Sequence, residues 1–258
     1  MADSALFYFD NLTEKGTLTV TSEDSDFPKE NLQDRDQHSF WKPGNATSPQ
    51  IITVDLGSAM TARAMLLVHE NLYTKSIGLK LIVDASDSPL FTNPVYLVGS
   101  AGSYEAPTSD DEPLWYERFS INWTKRFWRF MLNTGGDTDV LVADAYLFPE
   151  LDTERHPGGA WKLTRNDPGT KVVRGPGSMY STSTHVPTHS YTLSFRSILK
   201  TLWDELEAGH DICRTGFLPF LYIDEYDVLR LVRFASAPSM DHQFGPYVNG
   251  GVALEDDY

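Results

Sequence analysis

FPKENLQDRDQHSFWKPGNATSPQIITVDLG, residues 27–57, is the stretch whose reading decides the fold. Its last part, Ile51-Ile52-Thr53-Val54-Asp55-Leu56, is dominated by β-branched residues and stopped by Gly57, which marks a strand. Ahead of it lie a polar loop with Asn31-Leu32, Asp34 and Asp36, an aromatic pair at Phe40-Trp41, and a turn region of Pro, Gly, Asn and Ser. An apolar anchor, a long loop and a buried strand in that order predict a compact β-sandwich with its loops at one end.

Reading outward, Leu6-Phe7-Tyr8-Phe9 gives a first short strand, and residues 17–21 (TLTVT) alternate with the period of a half-buried one. Residues 64–68 read as a buried strand. Residues 77–84 (IGLKLIVD) form the clearest strand of this half, and residues 84–89 a turn cluster. Residues 94–98 add a short strand, residues 99–113 an exposed acidic loop. Two aromatic-rich strands follow at 116–121 and 127–132, separated by Asn122-Trp123-Thr124-Lys125, and residues 140–148 close the sandwich before Pro149. The polar stretch 151–159 places the domain boundary, giving a sandwich over 1–150 and a smaller domain over 151–258.

In the second domain, Asn166-Asp167-Pro168-Gly169 marks a turn between short strands, and residues 191–195 alternate as a strand. Ser197 is placed as an N-cap of an amphipathic helix carrying Ile198, Leu199, Leu202, Trp203 and Leu206 on one face, with Gly209 stopping it. Residues 217–223 and 228–234 read as a hairpin around 224–227. The acidic, glycine-rich end, residues 245–258, reads as an arm ordered on a partner or as a frayed tail.

Length and composition narrow the function. At 258 residues the chain fits two domains of modest size, and 41% hydrophobic with 22% charged residues is ordinary for a globular protein. No apolar run approaches the ~20 residues of a membrane span. The start, MADSALFYFDNL, has no basic segment and does not read as a signal peptide. A net charge of −15, with 21 scattered Lys and Arg, disfavours nucleic acid. The lone Cys213 excludes an internal disulfide. Sequons at Asn11, Asn45 and Asn122 match a pattern common by chance.

Chemistry-bearing residues are sparse. His185 and His189 are four apart, but Pro187 between them argues against a metal-binding helix face. Asp34 and Asp36 with their loop carbonyls read either as a Ca²⁺ site or as solvated acids. Ser178 and Cys213 lack the context of an activated nucleophile, and the pairs Asp110-Asp111 and Asp224-Glu225 fall in turns or loops. There is no phosphate-cradling glycine loop. The chain is expected to be non-enzymatic and to need no cofactor, Ca²⁺ being the one open option. Tyr73, Tyr104, Trp115 and Trp123 are the candidate contacts for a glycan or a protein neighbour.

Several of these elements carry family resemblances. Asn31-Leu32 and Asp34 before Trp41, the run Ile52-Thr53-Val54-Asp55-Leu56-Gly57, then Leu81-Ile82-Val83 with Ser86 and Asp87, then Phe127-Trp128-Arg129-Phe130 and residues 143–148, resemble the discoidin, or coagulation-factor type C, branch of the galactose-binding-like jelly rolls. Where that family usually has Asp-Gly-Asp, this chain has Asp34-Arg35-Asp36. Tyr191, Leu193 and Phe195, the helix, and Pro219-Phe220-Leu221-Tyr222-Ile223-Asp224 are similar to a small β-domain of tailed-bacteriophage tail and baseplate proteins. The fold implied is mainly β: a galactose-binding-like jelly-roll sandwich, then a smaller β-rich domain with one amphipathic helix. The function implied is a virion structural protein of the tail tip, baseplate or collar, made in the host cytoplasm. It would act as a homo-oligomer among other tail proteins, with Phe195, Trp203, Phe220 and Tyr222 in the docking unit. The alternative is a carbohydrate-binding module for host-surface attachment.

Overall fold

From Gln50 to Leu56 buried and partly exposed residues alternate, so one face of this strand lies in a core and the other looks outward. The computed structural model describes residues 5–36, 38–72, 80–99, 114–153, 162–166, 188–213, 218–223 and 228–256. Within them the strands are β1 (Leu6–Tyr8), β2 (Thr17–Val20), β3 (Gln50–His69), β4 (Lys80–Ser86), β5 (Val95–Val98), β6 (Leu114–Asn133) and β7 (Val142–Phe148). They continue with β8 (Leu151–Asp152), β9 (Lys162–Asn166), β10 (Thr188–Leu199), β11 (Phe220–Ile223), β12 (Leu229–Phe234), β13 (Ser239–Phe244) and β14 (Tyr247–Asp256). An α-helix, α1 (Lys200–Ile212), follows β10.

The chain forms two compact units, Asn11–Glu150 and a discontinuous one made of Met1–Asp10 with Leu151–Tyr258. The first is a sandwich built on one ribbon. β3 and β6, each 20 residues long, pair antiparallel from Gln50↔Leu132 to Val68↔Leu114, with register irregularities at Asp55/Met60 and Ala62/Ala64. At one end of the ribbon β2 and β4 flank it, and at the other end β7 does. The same two strands therefore serve both layers, and the irregularities fall where the ribbon passes from one to the other. Gly57, at φ 73°, supplies the left-handed residue at the start of that passage. Ile52, Val54, Trp128 and Phe130 from one layer meet Met65, Leu67, Ala145 and Leu147 from the other in a single core.

The expected gap in β6 at residues 122–125 is not there: Trp123, Thr124 and Lys125 stay in register with Ala62, Thr61 and Met60. Polarity at these positions reflects a solvent-facing side, with Thr61 and Thr124 hydroxyls 2.7 Å apart, and not a break in pairing. Residues 84–86, expected in a turn, extend β4. Asp84 stays in the sheet because Arg129, its register partner, grips the carboxylate with two nitrogens, Nε at 2.9 Å. The Asp84 side chain is wholly buried, and the guanidinium also lies 4.1 Å from the Phe91 ring centroid.

The second unit is a sheet in the order β8-β1-β11-β12-β14-β10-β9, with β13 on β14. The first strand thus belongs here and not to the sandwich, a difference from the expected sandwich over 1–150, while the division after Glu150 is where it was expected. Phe7 explains it: the ring is fully buried, with centroids at 5.4 Å from Phe9, 5.1 Å from Tyr222 and 6.4 Å from both Phe195 and Phe220. The helix begins at Lys200 after Leu199, without the expected Ser197 cap; Ser197 instead sits at φ 56° and donates its backbone N–H to Asn249. Gly209 lies inside α1 and does not end it, because a Cβ there would come within 2.3 Å of the Phe9 ring. Residues 247–256 are no loose arm. They form a strand between β10 and, along its length, β13 and β12, with Val248, Val252 and Leu254 buried.

One buried acid fixes a sandwich loop. Asp144, on β7, is fully buried and accepts the backbone N–H of Arg35 at 3.0 Å. The Arg35 side chain, also buried, pairs with Glu14. Burial, then the nearby Asp34 charge, raises the Asp144 carboxyl from its ordinary 3.8 to about 7. The folded protein therefore holds a proton that the unfolded chain releases between pH ~4 and ~7, so this group's penalty is absent at low pH and stability falls as pH rises through that window. The full effect is on the order of 4 kcal/mol.

Three outcomes follow from this packing. Phe7→Ala should cost about 3 kcal/mol or more, read as lost amide protection in residues 188–199 and 247–256 with β3 unchanged. Arg129→Met leaves Asp84 buried without its cation and should lower stability by about 3 kcal/mol in urea unfolding. Asp144→Asn should raise the melting temperature over wild type by a margin that widens from pH 5 to pH 8; a margin independent of pH would contradict the assignment.

Candidate functional site

The described connections 21–49 and 134–141 of the sandwich come together beside the ends of the ribbon, where Trp41 pairs with Val142. Gln50, Asn133 and Lys80 end one layer there, and His69, Leu114 and Val142 end the other. Side-chain bonds hold the connections at each end: Ser48 donates to Asn133 at 2.8 Å at one, and at the other Asn71 donates to the Asp139 carbonyl at 2.7 Å and accepts the Leu141 N–H at 2.9 Å.

At this end a small frame holds Phe27, Lys42 and Asp139. Asp24 N–H bonds the Lys42 carbonyl at 2.9 Å, Lys42 N–H bonds the Phe27 carbonyl at 3.3 Å, and Phe27 N–H bonds the Asp24 carbonyl at 3.0 Å. Trp41 and Val142 exchange both backbone bonds, at 2.8 and 3.2 Å, which fixes the segment against β7. Trp41 itself is fully buried, its indole N–H donating to the Ser22 carbonyl at 3.2 Å. Gly44 keeps the approach close, since a Cβ there would stand 2.2 Å from the Glu23 carbonyl oxygen.

On this frame Lys42 Nζ lies 2.9 Å from Asp139 and 5.8 Å from the half-buried Phe27 ring centroid. The hydrogen bond to Asp139, helped by the charges of Asp24 and Asp137, holds the ammonium above the ordinary lysine value. Lys29 is likewise occupied, by Glu30 at 3.0 Å and Glu23 at 3.7 Å. The rim is thus acidic on balance, with both of these amines already engaged. An aromatic face bordered by a fixed amine and carboxylates can stack on a sugar ring and hydrogen-bond its hydroxyls.

The candidate residues fare differently. Trp115 is 6% exposed and belongs to the sandwich core, so it is no loop contact. Trp123 is partly buried, packed against that core opposite Ala62. Tyr73 and Tyr104 lie outside the described residues, as do His185, Ser178, Asp110-Asp111 and Asp224-Glu225. Phe195, Trp203, Phe220 and Tyr222 are at most 2% exposed and form the core of their own unit, which removes them as docking residues. Asp34 and Asp36 cap their loop: Asp34 accepts Asp36 N–H at 2.9 Å and the Ser39 hydroxyl at 2.7 Å, and Asp36 accepts His38 N–H at 3.0 Å. Arg35 stands between them at φ 56°. Among the described residues no group of three or more His, Cys, Asp and Glu is placed to hold a metal. Phe27, Lys42 and Asp139 escape a reading by sequence because they come from two loops roughly a hundred positions apart.

Comparison with solved structures finds chitosan-binding module 1 of a chitosanase/glucanase from Paenibacillus sp. IK-5, at 22% identity over 54% of this chain and 99% of that one, TM-score 0.43. Module 2 of the same enzyme, in complex with chitotriose, matches at 16% identity over 54% and 100%, TM-score 0.43. CpGH89CBM32-6 of Clostridium perfringens matches at 20% identity over 54% and 98%, TM-score 0.43. No protein-family model and no curated protein matches the chain. The chain is mainly β, a sandwich with a second, β-rich unit.

Proposed function

We propose that the chain is a non-catalytic binding protein whose sandwich takes up carbohydrate at its loop end. The observation that carries this reading is the Phe27 ring with the Lys42 ammonium over it and Asp139 paired to that ammonium, Phe27 and Lys42 being set on backbone bonds and Asp139 on the Asn71 side chain. A preformed site of this kind loses little freedom on binding, which suits the shallow, polar surface of a sugar. Its acidic balance favours neutral or amine-bearing sugars over uronates.

A second reading is a structural component of a phage tail, supported by the resemblance of residues 191–224. The feature it would use is β13: Ser239, Met240, Asp241, Gln243 and Phe244 are all exposed, and among the described residues the strand pairs only with β14. An exposed edge strand can add a strand from a neighbour.

One set of measurements separates the two. Calorimetric titration of the full chain with neutral, amino- and uronic-acid oligosaccharides should show binding that weakens about tenfold in Phe27→Ala and Asp139→Asn, with Asp241→Asn unaffected. No binding to any sugar, together with a defined oligomer by mass photometry that Phe244→Ser dissociates, would favour the assembly reading.

A further inference from the structure

We propose that the outward face of β10 and β14, in the second unit, is a separate binding site for an acidic sugar, with Arg196 taking the carboxylate. The opposite side of the sheet defines this face. Leu193, Phe195, Val248 and Val252 point into the core, and Trp203 lies over Gly250. Thr192, Ser194 and Arg196 on β10, and Tyr247, Asn249 and Gly251 on β14, therefore look outward.

The ladder is irregular at Arg196. Between the pairs Phe195↔Gly250 and Ile198↔Val248, two residues of β10, Arg196 and Ser197, stand against Asn249 alone. A bulge of this kind re-aims a side chain. Here it requires Ser197, a non-glycine residue, to sit in the left-handed region at φ 56°, and Asn249 stabilises it by accepting the Ser197 N–H on Oδ1 at 2.8 Å. With its oxygen committed, Asn249 still has an amide N–H₂ to offer, and that group has no partner among the described residues.

Arg196 itself is exposed and makes no ion pair or hydrogen bond among the described residues. Scarcity of acids is not the reason, since Asp and Glu outnumber Lys and Arg by 36 to 21. Every other arginine or lysine whose side chain is described has a partner. Asp241, across β14 on β13, and Glu255, at the far end of β14, form no pair with Arg196. A guanidinium beside an amide donor, with no acid bonded to either, suits a carboxylate, which the guanidinium fork takes with two parallel bonds.

The surroundings favour a sugar over a peptide. To one side of Asn249, Tyr247 is paired with Leu199 and Phe244; the Phe244 and Tyr247 rings lie 6.1 Å apart, and Phe244 is 40% exposed. Diagonal neighbours on one sheet face are ~7–8 Å apart, so a sugar ring stacked on these aromatics can present a carboxyl to Arg196. To the other side, Gly251 lies between Ser194 and Ser239, whose hydroxyls have no side-chain partner among the described residues. A Cβ at Gly251 would meet nothing nearer than 3.6 Å, so packing does not demand a glycine there, and its bareness leaves a shallow floor between two hydroxyls. The backbone of this face is committed to the ladder, so an extended peptide finds no main-chain partners on it, whereas a sugar uses the hydroxyls and ring faces it offers. The site is independent of Phe27, Lys42 and Asp139, whose acidic rim disfavours uronates.

The test is calorimetric titration of the full chain with a galacturonate oligomer and with the same oligomer methyl-esterified. The acid form should bind and the ester should bind about tenfold or more weaker. Arg196→Gln should weaken the acid form by a similar factor, and Arg196→Lys by less. Gly251→Val, whose Cβ has room and whose branched side chain suits a strand, should fold and also weaken binding, while Phe27→Ala should leave it unchanged. In wild type the Arg196 Nε–H resonance should shift with the acid form and stay put with the ester. No binding of the acid form, equal binding of the ester, an unmoved Arg196 resonance, or unaltered affinity in Arg196→Gln each overturns the proposal. Loss in Phe27→Ala with Arg196→Gln unaffected overturns it too, by placing the uronate on the sandwich. Arg196-dependent binding of polyglutamate as tight as that of the uronate would overturn the assignment to sugar.

Discussion

Everything in the sandwich depends on the β3–β6 ribbon. Two strands of twenty residues each stay paired through two register irregularities and supply the centre of both layers. In a sandwich whose layers share no strand, the two sheets can slide; here a slip in one layer must be matched in the other, because the same hydrogen-bond ladder runs through both. The bidentate pairs that cross the sheet, Arg129 with Asp84 and Arg126 with Asp55 at 2.7 and 2.8 Å, pin the register at named positions. One of the two is buried on its acidic side, which makes it costly to misalign.

The ribbon also explains where function can be placed. The described connections 21–49 and 134–141 meet beside its ends, and short bonds such as Trp41 to Val142 and Asn71 to residues 139–141 hold them there. Rigid strands below and connecting segments above is the usual division between scaffold and binding residues. The opposite turn of the ribbon, around residues 57–61 and 120–125, carries the exposed Ile121 and the partly buried Met60 and Trp123, laced by Thr61 to Thr124 and Lys125 to Asp87.

How much of this was legible in the sequence varies with the range of the interaction. The alternation of Ile52, Val54 and Leu56 is local, and so is the burial of Trp41 implied by the family resemblance; both stand in the structure. Trp115 and Phe220 were legible as aromatic and not as core, since a side chain at a strand end is lining or rim according to what packs on it. Residues 247–256 contain an alternation, Val248, Val252 and Leu254 against Asn249 and Glu255, hidden by glycines that read as a tail. Gly250 is there because a Cβ would stand 2.4 Å from the Trp203 ring, a fact of tertiary packing. Phe27, Lys42 and Asp139, and likewise Asp144 with Arg35, become neighbours only through the fold, so no local signal announces them.

The placement of β1 between β8 and β11 has a consequence for how the chain is made. A ribosome delivers Phe7 and Phe9 ahead of the sandwich, yet the rings they pack on, Phe220, Tyr222 and Phe234, come more than two hundred positions later. The sandwich, complete by Glu150, can close while β1 is still waiting, and β14, which emerges after the other strands of its sheet, pairs with both β10 and β12 near the middle of that sheet. Synthesis order and spatial order are thus opposed in this unit, and its apolar first strand must be kept from other partners until the far end of the chain arrives.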